Sequence, residues 1–205
     1  MIRALDLFQI LINMEVLIVD FDDSFTFNLA EICHRCKLSH EVIPYSDLSI
    51  QKVLSLNPMS VVWGPGPGHP DEYIKAKEII KDLFDIKSIF QLGVCLGHQL
   101  LLQVQGFKII DAPEKLHGRS SMLLVPPWPE FDPSFHNKET EVQYYSSLAV
   151  SDCRGSFVGG ELLTNNGLVL VGKGEGFLSY QFHPESVGTS CPDVFIYGWL
   201  KQLIQ

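Results

Sequence analysis

Ser88–Gln105 reads SIFQLGVCLGHQLLLQVQ. Ser88–Val94 is uncharged and mostly apolar, which predicts a buried strand, and the leucine-rich remainder predicts a helix from Cys95 or Leu96 to about Gln105. Between them, Gly93 and Gly97 stand two positions to either side of Cys95. That spacing suits a tight strand-to-helix turn with close backbone approach, the steric logic of the Gly-x-Ser-x-Gly nucleophile elbow with sulfur in place of oxygen. Such a turn lifts the sulfur clear of the sheet and sets it at a helix N-terminus, where the dipole favours a thiolate. A buried, inert cysteine ahead of a helix is the competing reading; the glycines and the strand-to-helix setting favour the nucleophile.

Upstream, the pattern repeats. Glu15–Asp20 (EVLIVD) predicts a buried strand, Ser24–Lys37 a helix with Ser24 as its N-cap, and Glu41–Pro44 a short strand. Asp47 can cap a helix running through Leu56, and Ser60–Trp63 predicts a strand that ends at a Gly/Pro loop. Asp71–Phe84 carries Ile74, Ile79, Ile80 and Leu83 at helical spacing, with acidic residues in its first turn. Strands alternating with helices define an α/β fold: a doubly wound, mostly parallel sheet with helices on both faces. Downstream the reading changes to extra short strands, Phe107–Ile110, Met122–Val125, Leu168–Val171 and Leu178–Phe182. A closing helix is expected over Pro192–Leu203 and a Pro- and aromatic-rich loop over Pro126–Asn137. No repeat or linker interrupts the chain, so residues 15–205 are expected to form a single domain. Residues 1–14 are expected to be an N-terminal extension, either an added amphipathic helix or a consequence of the chosen start site.

Composition narrows the function. The chain has 205 residues, 46% of them hydrophobic and 19% charged, enough for a sizeable core. Its formal charge of −9, with no Lys/Arg cluster, argues against nucleic acid and against an anionic membrane surface. The most apolar stretch, Leu7 to Val19, is interrupted by Gln9, Asn13 and Glu15 and is too short to span a bilayer. Arg3 is offset by Asp6 and no small-residue cleavage site follows, so a signal peptide is not expected. Five cysteines are an odd number and not a disulfide framework, which points to a reducing cytoplasm.

A nucleophilic thiol needs a base. His183, in Gln181-Phe182-His183-Pro184-Glu185-Ser186, follows an apolar strand and so lies at a strand end, where doubly wound sheets carry their sites. Pro184 stiffens the next step, and Glu185 can turn back to fix the imidazole tautomer, leaving the other nitrogen for sulfur. A His-Pro turn with a solvated glutamate is the bland alternative. Gly64-Pro65-Gly66-Pro67-Gly68-His69-Pro70 follows a strand directly; it is either a stiff surface turn or a loop that aims an N–H at a developing oxyanion. Cys33-His34-Arg35-Cys36 falls inside a predicted helix and lacks a second ligand pair, which favours packing over zinc or redox chemistry. Cys153 and Cys191 have no assignable partner, and Trp63, Trp128 and Trp199 read as core or interface aromatics. No Gly-x-x-x-x-Gly-Lys-Ser/Thr loop is present, so any ATP chemistry belongs elsewhere.

Together these segments resemble the class I (triad) glutamine amidotransferases, closest to the glutaminase subunits of anthranilate synthase and aminodeoxychorismate synthase. The similarity runs from about Glu15 to the C-terminus. It begins at Asp20-Phe21-Asp22-Asp23-Ser24-Phe25-Thr26-Phe27-Asn28-Leu29 and continues through GPGPGHP, GVCLGHQ, His117-Gly118-Arg119 and QFHPES. The resemblance implies a flavodoxin-like fold and a Cys95–His183–Glu185 triad that frees ammonia from glutamine through a glutamyl thioester. It implies an oxyanion hole from the backbone N–H groups of Gly68 and Leu96. Glutamine contacts would come from Gly66, Pro67, Gly68, Gln99 and the backbone of Ser147 and Leu148. No metal or cofactor is expected. The implied partner is a chorismate-binding synthase subunit that receives the ammonia through a channel and stimulates a weak glutaminase, for tryptophan or folate biosynthesis. Two departures stand out. Where the family has Arg-Tyr-His-Ser-Leu, this chain has Tyr144-Tyr145-Ser146-Ser147-Leu148, and Phe21 replaces the usual Asn. The first departure motivates a rival reading, a catalytically degenerate regulatory subunit. A free-standing γ-glutamyl hydrolase is disfavoured by the Asp-Ser-Phe-Thr opening and the FHPES ending.

Overall fold

Four consecutive apolar residues, Val16–Val19, are completely buried, which requires cover on both faces of the strand that carries them. The computed structural model describes residues 14–113, 118–152 and 159–204. The front half comprises β1 (Val16–Asp20), α1 (Thr26–Arg35), β2 (His40–Pro44), α2 (Ile50–Leu56), β3 (Ser60–Trp63), α3 (Ile74–Phe84), β4 (Phe90–Val94) and α4 (Leu96–Val104). The back half comprises β5 (Ile109–Asp111), β6 (Arg119–Leu124), β7 (Glu139–Tyr144), β8 (Leu148–Ser151), β9 (Gly160–Asn165), β10 (Leu168–Gly174), β11 (Phe177–Tyr180) and α5 (Asp193–Ile204).

The cover on β1 follows its period of two. Val16 and Ile18 pack with Leu29, Ile32 and Cys33 of α1 and with Val194, Phe195 and Trp199 of α5. Leu17 and Val19 pack with Val53 of α2, Ile79, Ile80 and Leu83 of α3, and Leu100 and Leu101 of α4. Helices therefore lie on both faces, as a doubly wound sheet demands. The strand order is β2-β1-β3-β4-β11-β10-β8-β5, with β9 paired to β10. The ladders from β2 to β11 are parallel; those joining β10, β8, β5 and β9 are antiparallel. β6 and β7 form a separate antiparallel ribbon.

Several boundaries differ from expectation, each for a local reason. Ser24 does not cap α1: the helix starts at Thr26, and the preceding turn is held by carboxylates instead. Asp20 Oδ1 accepts from Asp22 N–H at 3.1 Å, Asp23 N–H at 3.3 Å and Thr26 Oγ1–H at 2.9 Å, while Asp23 Oδ1 takes Phe25 N–H at 2.9 Å. Ser49, not Asp47, caps α2, accepting from Lys52 N–H at 3.1 Å. The predicted Asp71–Phe84 helix is two pieces, a 3-10 turn at Pro70–Glu72 and then α3. Phe107 is buried in the turn after α4 rather than in a strand, and β5 begins at Ile109. β7, β8 and β9 lie in stretches with no strand expectation.

The Pro126–Asn137 stretch is mostly irregular, with a 3-10 turn at Pro133–Phe135. It is nevertheless packed: Phe131 stacks on Trp128 and meets Phe195 of α5 edge-on, and a Cβ on Gly198 would lie 2.2 Å from the Glu130 carbonyl. Trp63 and Trp199 are core residues with their N–H groups on Gln91 and Ser60, both at 2.9 Å. Cys33 and Cys36 fall in α1 and at its C-cap, and burial pushes the Cys33 thiol up to about 12, as suits an inert packing residue. Cys153 and His117 lie outside the described residues.

Candidate active site

Cys95 sits between β4 and α4 with φ 53° and ψ −100°, a backbone conformation that costs a non-glycine residue strain. Its neighbours make the turn possible. A Cβ on Gly97 would lie 2.0 Å from the Trp63 carbonyl oxygen, and one on Gly93 would lie 2.7 Å from the Gly97 carbonyl. Only hydrogen fits at either position, so the sequence Gly-x-Cys-x-Gly folds here into the expected elbow. Cys95 N–H donates to the Tyr180 carbonyl at 2.8 Å and its own carbonyl accepts from Gln99 N–H at 3.1 Å, tying the apex to β11 and to the first turn of α4.

His183 follows β11, the strand beside β4, so the two side chains share the C-terminal edge of the sheet. Its backbone is pinned: His183 N–H donates to the Gln143 carbonyl at 2.9 Å, and Thr189 Oγ1–H donates to the His183 carbonyl at 2.6 Å. Nδ1–H donates to Glu185 Oε1 at 2.7 Å, with both side chains buried. Nε2 and Glu185 Oε2 are also buried and make no hydrogen bond of normal geometry. Burial pulls the imidazole down, but the Cys95 sulfur, and after it the Glu185 carboxylate, outweighs burial and raises His183 from 6.5 to about 10. The arrangement therefore favours a proton on His183 facing sulfur.

The Gly/Pro loop is pressed against this pair. A Cβ on Gly66 would lie 2.5 Å from Leu96 Cδ2 and 2.6 Å from Phe21 Cβ, so only glycine lets the loop meet the first residue of α4. Gly68 has φ 75°. Tyr73 O–H donates to the Pro67 carbonyl at 2.8 Å, and Tyr73, Tyr45 and Phe21 pack ring against ring at 5.1–5.3 Å. Phe21, which departs from the family pattern, thus belongs to an aromatic support for the loop.

Gln99 is buried beside the β7–β8 connection. Its Nε2 donates to Ser146 Oγ at 3.3 Å, the Leu148 carbonyl at 3.4 Å and Gln181 Oε1 at 3.4 Å. Ser146 Oγ also accepts from Leu148 N–H at 3.0 Å, while the Ser147 carbonyl accepts from Ala112 N–H at 2.9 Å. The structure so gathers Gly66 with Leu96 and Gln99 with Leu148. Ser146, which the sequence reading did not assign, lies between Gln99 and Leu148, and Ser147 is tied to Ala112 through its carbonyl. Sequence reasoning gave no role to Phe25, Tyr145, Ser146 or Gln181, although each lies in a segment it singled out: Phe25 in the Asp20–Leu29 opening, Tyr145 and Ser146 in Tyr144–Leu148, and Gln181 in QFHPES. His98, next to the elbow, is fully buried: Nε2–H donates to the Val169 carbonyl at 3.2 Å, and Nδ1 accepts from Ser179 Oγ–H at 2.9 Å. Burial lowers His98 from 6.5 to about 3 and keeps it neutral.

A doubly wound sheet with a strained cysteine elbow and a buried His–Glu pair at its C-terminal edge defines a class of α/β proteins with a Cys, a His and a Glu gathered at one sheet edge. Within that class the family is settled: the model of "Glutamine amidotransferase class-I" matches residues 17–198, and the chain belongs to this family. It is 32% identical over 194 residues to anthranilate synthase component 2 of Saccharolobus solfataricus, covering 91% of this chain and 98% of that one. Anthranilate synthase component 2 of Cyanidium caldarium is 30% identical over 181 residues, 85% of this chain and 91% of that protein. Among solved structures, a glutamine amidotransferase of Thermotoga maritima superposes with a TM-score of 0.69 at 16% identity, covering 92% of this chain and 81% of that one, a likeness of fold. Among the described residues no helix is long and apolar enough to cross a membrane.

Proposed function

We infer that the chain is a glutaminase subunit that hydrolyses glutamine through Cys95, His183 and Glu185 and hands ammonia to a chorismate-using synthase. The observation that carries this reading is the 2.7 Å bond from His183 Nδ1–H to Glu185 Oε1, buried at the same sheet edge as the Cys95 elbow. Cys95 Sγ attacks the side-chain amide carbon, and the developing oxyanion is taken by the N–H groups of Gly68 and Leu96. His183 gives its proton to the departing ammonia. Water then attacks the thioester carbon, His183 takes a proton from it, and glutamate leaves as the thiol re-forms. Gly66, Pro67, Gln99, Ser147 and Leu148 hold the amino acid end of the substrate. Residues 15–205 act as one domain, and Met14, from the expected extension, packs against its core; the rest of that extension lies outside the described residues.

The relatives named anthranilate synthase component 2 support anthranilate as the product; aminodeoxychorismate is the other chorismate-derived acceptor on this reading. A docking partner is supported by exposed Phe27, Ile74 and Val187, which follow the C-terminal ends of β1, β3 and β11 and so surround the edge that carries Cys95. Free Cys33, Cys36, Cys95 and Cys191 support a reducing, cytoplasmic setting. In the reconstituted complex, Cys95→Ser abolishes chorismate amination with glutamine and leaves it intact with ammonium salts; undiminished glutamine use by that variant refutes the reading.

One observation favours a second reading, a catalytically degenerate regulatory subunit: Ser146 Oγ holds the Leu148 N–H that glutamine would need. A glutamine analogue bearing a diazoketone separates the two, since only a working site alkylates Cys95.

A further inference from the structure

Two segments far from His183 in the chain converge on it, each contributing an aromatic ring, beside Glu185 of its own segment. Phe25, from the β1–α1 turn, lies with its ring centroid 5.2 Å from the imidazole. Tyr145, from the β7–β8 connection, meets the imidazole edge-on at 5.0 Å and 88°. The two rings also pack on each other at 4.7 Å. Both aromatic residues are anchored from behind. Phe25 N–H is held by Asp23, whose own N–H is held by Asp20. Tyr145 O–H lies 3.2 Å from Ser186 Oγ, which accepts from Gly188 N–H at 3.1 Å. Asn28 Nδ2 completes the enclosure by donating to the Glu185 carbonyl at 3.4 Å.

We propose that Tyr145, backed by Phe25, is a positioning residue: the packed pair of rings on one side and the Glu185 bond at Nδ1 together clamp the His183 imidazole so that Nε2 aims at the Cys95 sulfur. The single bond from Nδ1 to Glu185 fixes one nitrogen but leaves the ring free to rock about that bond. The two rings, packed on each other, press on the imidazole from one side and oppose this rocking, and His183 is almost inaccessible, at 2% exposure. The clamp acts through ring contact, so the Tyr145 hydroxyl is secondary to its ring. It also gives the Asp20–Asn28 segment a purpose: Phe25 packs on His183 and Asn28 bonds to the Glu185 carbonyl, while Asp20 and Asp23 hold the turn that carries Phe25. A misplacement of about 1 Å in such a constellation costs on the order of a hundredfold in rate.

The proposal rests on the triad reading above, and its test is arranged to separate the two. The rate of Cys95 alkylation by iodoacetamide is read by peptide mass spectrometry on the full chain, with exposed Cys36 and Cys191 as internal references. Tyr145→Leu keeps side-chain bulk without a flat ring and should slow Cys95 alkylation by about tenfold, in the same direction as His183→Asn. Tyr145→Phe should stay within about threefold of the unaltered protein. If the Tyr145→Leu chain does not fold, Phe25→Leu replaces it, with a smaller loss expected. Alkylation at Cys95 that is unchanged or faster in the leucine variants overturns the clamp. Ammonia release from glutamine reports on the triad reading separately. Unaltered protein that alkylates at Cys95 in a His183- and Tyr145-dependent way, yet releases no ammonia, removes the glutaminase and upholds the clamp. Where ammonia is released, Tyr145→Leu should lower kcat about tenfold with KM within about twofold, and Tyr145→Phe should restore it.

Discussion

Glu185 shows how much a single side chain can be asked to do. Its carboxylate is buried, one oxygen accepts the imidazole N–H, and that bond dictates which nitrogen of His183 faces Cys95. An amide of the same shape can present an N–H to Nδ1 and so stabilise the wrong tautomer. Glu185→Gln should therefore lower glutamine-dependent kcat by about 10²–10⁴-fold while KM moves little, as steady-state kinetics with glutamine would show. A kcat within a few-fold of the unaltered protein would remove Glu185 from the reaction. Gly97 is a second decisive residue, through what it lacks, and its consequences belong to the elements it joins.

Helix α4 can approach β3 only because Gly97 presents no side chain to the Trp63 carbonyl, 2.0 Å from where a Cβ would sit. The obstacle is backbone, which cannot swing aside, so Gly97→Ala must push α4 off the sheet. A loss of about 3 kcal/mol of unfolding free energy is expected, read as a lower urea midpoint with unchanged slope. Cys95 alkylation should fall with it, since the elbow opens. Elements with this kind of packing were also the ones legible in the sequence. β1, β3 and β4 are covered on both faces, so they read as mostly apolar runs, with Ser60 and Gln91 as their buried polar exceptions, and the helices between them show one apolar stripe each. β7 and β9 were illegible because they are covered on one side or half-exposed, with Glu139, Glu141 and Glu161 in them; β7 pairs with β6 across a long loop, whereas β9 pairs with β10 through the Asn166-Gly167 turn, a hairpin signal that went unread. The site divides the same way. Cys95, His183 and Glu185 sit in short motifs that carry their own geometry. Phe25 and Tyr145 meet His183 only through the fold, and nothing in the residues around them announces that contact.

Over the whole molecule, the two buried histidines set opposite slopes on stability. His98 has a folded value near 3 against 6.5 in the open chain, so below pH 6.5 the unfolded state takes up a proton that the folded state refuses. Stability should fall as pH drops from 6.5 towards 3, with His98 contributing up to about 1.4 kcal/mol per pH unit. His183 is raised, so its contribution is full below pH 6.5 and is lost as pH climbs towards its folded value near 10. Urea unfolding of His98→Gln between pH 4.5 and 6.5 checks the acid limb: its slope should shrink by up to one proton's worth, and an identical slope would exclude His98 as a source. The strand order carries a different consequence. β11, the last strand in chain order among the described residues, lies in the middle of the sheet between β4 and β10 and brings His183 with it. A chain emerging from the ribosome therefore leaves the edge of β4 open, and then that of β10, until Phe177–Tyr180 have been made. The sheet can close only once β11 has emerged, the nucleophile waits unpaired until then, and nascent or truncated chains that end before Phe177 are the ones a chaperone would have to shield.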